Sequence, residues 1–151
     1  MSKAKDIPMM DAVALSRAIH ARDLSCTEVM SAYLDRIEAL NPKVNAIVSL
    51  RPREELMREA RERDDDLAAG KSRGWMHGFP QAIKDLADAA GLPTTKGSPL
   101  LKESIAGADA SYVARMRDAG AIIIGKTNVP EFGLGSNTYN PVFGPTANAW
   151  S

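Results

Sequence analysis

One lysine in this sequence has a setting that calls for chemistry. In "GFPQAIKDLADAAGLPTTKGSPL", Gly78 to Leu100, an apolar run of Phe79, Ala82 and Ile83 ends on Lys84, with Asp85 beside it and a Gly/Pro/Thr-rich loop after it. A solvated lysine needs no such setting, but a lysine that must lose its proton does. The ordinary lysine pKa is about 10.4, and a general base working near neutrality needs roughly 7–8. Burial disfavours the ammonium form, so a place on a buried strand would shift Lys84 in the required direction. Asp85 points to the opposite face of a strand and is expected to hold the loop or bind backbone. The plain alternative is a strand-end lysine that carries its head to water.

A second stretch offers different chemistry. "GAIIIGKT", Gly120 to Thr127, matches the phosphate-loop pattern G-x-x-x-x-G-K-[ST]. A true phosphate loop curls its middle residues so that their N–H groups face an anion. Here the middle is Ala121 and three isoleucines, which are β-branched and favour extended backbone. Pro130 also delays any following helix. The strand is expected inside the motif, which argues against a nucleotide-binding enzyme.

The remaining reactive residues read as ordinary. Cys26 falls in the first turn of a helix, but no motif supplies a His partner. His20 and His77 lack metal-ligand spacing, and no metal site is expected. Trp75 and Trp150 read as packing residues. Lys96 and Lys126 lack the apolar run that marks Lys84.

Composition narrows the classes. The 151 residues fit one domain, and 44% hydrophobic with 25% charged residues is globular composition. Nineteen basic residues balance nineteen acidic ones, which argues against a broad nucleic-acid surface. A single cysteine fits a reducing compartment. Neither a signal peptide nor a membrane-length apolar run is visible. The expectation is a cytoplasmic protein.

Several elements must position Lys84. Helical spacing runs from Met10 to about Asp23. Ser25 and Glu28 have capping-box spacing ahead of a second helix, which Asn41-Pro42 is expected to stop. Val44 to Leu50 is a short strand candidate. A third helix is predicted from about Pro52 to Ala69, with Gly70 as its stop. From about Gly74 the apolar runs shorten: "PQAIKD" and "AIIIG" read as buried strands, with a helix capped by Asp109 and ended by Gly120 between them. This pattern indicates an α/β sheet protein. Residues 1–73 form the helical part and 74–151 the start of the α/β core. The aperiodic segment from Ser136 onward carries Tyr139, Val142, Phe143 and Trp150, which are expected to be buried. That suggests a chain stopping mid-domain.

Three segments, "GFPQAIKD", "AGAIIIGKTNVPEFGLGS" and "NPVFGPTANAW", occur in this order and spacing. Together they resemble the amidase signature family, the Ser–cis-Ser–Lys hydrolases. The resemblance implies a mixed sheet flanked by helices, of which 1–151 is the truncated N-terminal portion, and hydrolysis of amides. In that family a lysine in the "IKD" strand, a bridging serine with a cis peptide bond and a nucleophilic serine act together. Lys84 takes the lysine's place. No "GGSSGGS"-like stretch occurs in these 151 residues, and Ser151 is not assigned either serine's role. The chain alone is therefore expected to be inactive. Gly133, Leu134 and Gly135 are the expected substrate-binding stretch, where glycines let backbone approach closely; an ordinary loop glycine pair is the alternative. The resemblance implies no cofactor and a small-molecule amide as partner, with no nucleic acid or membrane. A homodimer is the assembly to expect of the full-length form. The tRNA-dependent amidotransferase, through its amidase-like subunit, is an alternative within the family. A non-catalytic fragment or binding subunit is the alternative outside it.

Overall fold

Asp11 opens the first helix by accepting the Ala14 N–H on its side chain (2.8 Å), one of the donors a helix start leaves unpaired. In this computed structural model, which describes residues 7–150, that helix, α1, spans Ala12–His20. The predicted capping box is present at the next helix. Ser25 Oγ accepts the Glu28 N–H (3.1 Å), and Glu28 Oε2 accepts the Ser25 N–H (2.9 Å).

The second helix, α2, spans Cys26–Val44 with Pro42 inside it, so Asn41-Pro42 does not stop it. Pro42 lacks only its own donor, and the Asn45 N–H still reaches the Asn41 carbonyl (2.7 Å). The chain leaves the helix at Asn45 (φ 52°), where Asn41 Oδ1 accepts the N–H groups of Ala46 and Ile47. Strand β1 is therefore only Ile47–Leu50. Helix α3, Arg53–Ala68, follows Pro52 as predicted, and Gly70 at φ 73° ends it. Strand β2 is Pro80–Lys84, helix α4 is Ser111–Asp118, and strand β3 is Ile122–Thr127.

The strands form one sheet in the order β1-β3-β2. β1 and β3 are antiparallel, pairing Ile47 with Thr127 and Leu50 with Gly125, with a bulge between Ile47 and Ser49. The Ile122 N–H donates to the Phe79 carbonyl (2.8 Å), and the Asp85 N–H donates to the Thr127 carbonyl (3.0 Å), so β2 and β3 run in the same direction. The mixed α/β architecture expected from the pattern is present, with the isoleucine strand at its centre.

The chain divides into two compact units. One comprises residues 7–38, 51–81 and 115–123. Its core holds Ile19, Val29, Met30, Leu34, Leu56, Ile122 and Ile123, each essentially inaccessible. The other comprises 39–50, 82–114 and 124–150. Its final stretch has little regular structure, yet asparagine side chains satisfy its backbone. Asn140 Oδ1 accepts from Val142 N and Phe143 N, and its Nδ2 donates to the Val129 carbonyl. Asn45 Nδ2 donates to the carbonyls of Phe143 and Pro145. Tyr139 and Trp150, expected to be buried, are exposed, and so is Trp75.

Candidate active site

Strand alternation sets the site. Lys84 is the last residue of β2 and faces solvent, while Asp85 turns inward and is fully buried. The desolvation expected for Lys84 is thus absent from this chain: the apolar run ends at Ile83, and the next side chain in line is already outside it. Asp85 meets its own expectation, because it holds the loop. Its Oδ1 accepts the Thr95 N–H (3.2 Å) and its Oδ2 accepts the Thr95 hydroxyl (2.5 Å).

The buried lysine is Lys126, which reverses the ranking expected of the two from their sequence settings. Gly125 does not end the strand. It sits opposite Leu50, where a Cβ would press into the Ser49 and Leu50 backbone. β3 therefore continues, and Lys126 shares the inward face of Ile122 and Ile124. Its ammonium, fully inaccessible, donates to the Ala87 carbonyl (2.8 Å), the Pro93 carbonyl (2.9 Å) and Thr94 Oγ1 (2.9 Å). Asp85 Oδ1 lies 3.3 Å away. Burial pushes the Lys126 pKa down, and the Asp85 carboxylate opposes that shift. One sequence signal marks this lysine, though not its partner: two residues beyond a run of isoleucines and still in strand register, it needs a compensating acid.

The same geometry removes the phosphate loop. Residues 122–127 are ladder strand, and the lysine of the pattern is committed to Asp85 and the loop carbonyls.

Two hydrogen bonds tie the end of β2 to the Gly133–Gly135 stretch. The Lys96 N–H donates to the Asp85 carbonyl (3.0 Å), and the Phe132 N–H donates to the Lys96 carbonyl (2.7 Å). Residues Glu131–Gly133 form a short 3-10 turn. At Gly133, φ is 74° and a Cβ would come within 2.7 Å of the Leu86 side chain, so the turn accepts only glycine without rearrangement. Leu134 and Gly135 line an open groove of about 510 Å³ with Phe132 and Tyr139. Gly133 packs against Leu86.

The other candidates stay structural. Cys26 is buried, and its thiol is pushed up to about 12, chiefly by burial and then by Asp64. Asp64 caps α2, accepting the N–H groups of Cys26 (2.6 Å) and Thr27 (3.1 Å). His77 is buried between backbone partners, whereas His20 is on the surface. Among the described residues no group of His, Cys, Asp and Glu could hold a metal ion, and no helix is long and apolar enough to cross a membrane. Ser151 lies outside the described residues.

Comparison with known proteins supplies the rest. A family model described as Amidase matches residues 28–151. The glutamyl-tRNA(Gln) amidotransferase of Acidothermus cellulolyticus has an A-type subunit that is 44% identical over 145 residues, covering 96% of this chain and 28% of that protein. An acylamidase of Rhodococcus erythropolis is 38% identical over 146 residues, covering 97% and 30%. The native peptide amidase of Stenotrophomonas maltophilia superposes with a TM-score of 0.82 at 37% identity, covering 92% of this chain and 30% of that one. The chain spans 28–30% of the length of these relatives.

Proposed function

Because the chain belongs to the Amidase family, we propose that it carries the general base of an enzyme that hydrolyses carboxylic amides by acyl transfer to serine. Lys84 is the base. It takes the proton of a serine hydroxyl, which is a weak nucleophile unaided, and returns it to the leaving amine. The Gly133–Leu134–Gly135 backbone borders the substrate. The observation that carries this reading is the continuous link from the strand end at Asp85 through Lys96 to Phe132, which puts the lysine-bearing strand and the glycine turn in one framework. An exposed ammonium is a poor base near neutrality. The reading therefore requires that Lys84 be covered in the working enzyme, where exclusion of water favours its neutral form.

A second reading rests on the 44% identity to an amidotransferase component. There the released ammonia would pass to a glutamyl-tRNA instead of to solvent. Ammonia release from simple amides by the full-length protein alone favours the amidase. Activity that appears only with partner subunits and glutamyl-tRNA favours the amidotransferase, and no activity under either condition favours a binding subunit.

The test of Lys84 uses full-length protein and small aliphatic and aromatic amides. Lys84→Ala should lower turnover by several orders of magnitude. Lys84→Arg should fail nearly as badly, since arginine keeps its proton at any working pH. A folded Lys84→Arg enzyme with near-normal turnover would return Lys84 to the surface-lysine reading.

A further inference from the structure

We propose that Asp85, Lys126 and Thr95 form a positioning unit for Lys84, a proposal that rests on the reading of Lys84 as base. Lys84 ends β2 with its side chain toward solvent, so within this chain the point from which that side chain projects is fixed by the backbone on either side of it. That backbone is bonded to β3 and to the loop that the buried cluster braces. The Asp85 N–H is bound to the Thr127 carbonyl, and the Asp85 carbonyl to the Lys96 N–H. The Ala87 N–H turns back to the Lys84 carbonyl itself (3.0 Å).

The Lys126 ammonium closes the arrangement. Its three N–H donors go to Ala87, Pro93 and Thr94, the two ends of the loop that leaves β2 and returns beside it. Asp85 compensates the charge at 3.3 Å and uses its remaining capacity on Thr95. Without the ammonium, a buried carboxylate and three buried oxygens lose their partner together. The loop must then open toward water. Opening it turns the strand end, and Lys84 lies on the opposite side of that strand end. A displacement of about 1 Å at a catalytic group can cost about 10²-fold in rate.

The test compares variants of the full-length enzyme by ammonia release, with circular dichroism and thermal melts to establish folding. Lys126→Met and Thr95→Val should lower kcat about 10- to 100-fold with KM changed less than about threefold, the pattern of a defect confined to the transition state. Thr95→Ser keeps the hydroxyl donor to Asp85 and should restore most of kcat. Lys84→Ala combined with Lys126→Met should be no slower than Lys84→Ala alone, because a positioning unit has nothing left to position. Full kcat in folded Lys126→Met, a Thr95→Ser as slow as Thr95→Val, or losses that multiply in the double variant would each overturn the proposal. If Lys126→Met does not fold, the Thr95 pair decides. An active Lys84→Ala enzyme would overturn the base assignment itself and is read separately from the Lys126 result.

Discussion

His77 shows how much of a residue's behaviour follows from its two hydrogen bonds. Its Nδ1 accepts the Arg73 N–H (3.1 Å), which requires that Nδ1 carry no proton. The other ring nitrogen, Nε2, then carries the hydrogen and donates to the Arg63 carbonyl (2.9 Å). Only the neutral ring fits both. Burial, the largest influence, lowers the His77 pKa from its usual 6.5; the hydrogen bond to the Arg63 carbonyl opposes that shift, and the Arg63 charge adds to it. The unfolded chain therefore binds a proton that the folded chain refuses. The stabilisation is complete above about pH 6.5 and declines as the pH falls below it. Urea midpoints measured from about pH 7.5 down to about 5.5 should fall for the wild type and fall less for His77→Gln. Parallel curves for the two proteins would remove His77 from the account. The signal in the sequence was weak, because a histidine between "WM" and "GF" gives no hint of its partners. For Lys84 and Asp85 the strand's period of two was legible only as opposite faces; which face is buried came out the other way round, because the apolar run ends at Ile83 and the inward position falls on Asp85.

At the scale of elements, the start of α2 offers a graded experiment. Ser25 supplies a neutral cap, and Asp64, reaching from α3, supplies a charged one that binds two N–H groups. Ser25→Ala should cost about 1 kcal/mol. Asp64→Ala should cost more, since hydrogen bonds to a charged group contribute roughly 1.5–3 kcal/mol each. Chemical denaturation of both variants checks the order, and a larger loss from Ser25→Ala would contradict the assignment. The Ser25–Glu28 box was legible because it is written in four consecutive positions. Asp64 was not, since its partners are thirty-seven and thirty-eight residues away. The end of α2 was misread for a related reason. Proline forbids one hydrogen bond, and a helix near its end can forgo that bond when an asparagine side chain takes over the following amides.

For the whole molecule, the α/β pattern, the order of its elements and the family were legible from "QAIKD", "AIIIGKTNVPEFGLGS" and "NPVFGPTANAW". The buried ion pair was not, because it depends on which strands are neighbours. That neighbourhood also decides the nucleotide question. Calorimetric titration with ATP and Mg²⁺ should give no saturable heat, because the amides of 122–127 are held in a strand and the Lys126 head is enclosed. Micromolar binding that Lys126→Met abolishes would reinstate the phosphate loop.

The enclosed pair of Asp85 and Lys126 also limits the routes by which this sequence can change. Removing one partner strands a buried charge, at a cost of about 3–5 kcal/mol, whereas replacing a whole buried pair by apolar residues of similar volume is often neutral. Neither residue can be lost first without passing through a weakened intermediate. Natural proteins hold only about 5–15 kcal/mol of net stability. Drift at these two positions should therefore be rare and correlated. A library randomised at both sites and selected for folding should return acid with base, or apolar with apolar, and seldom a mixture.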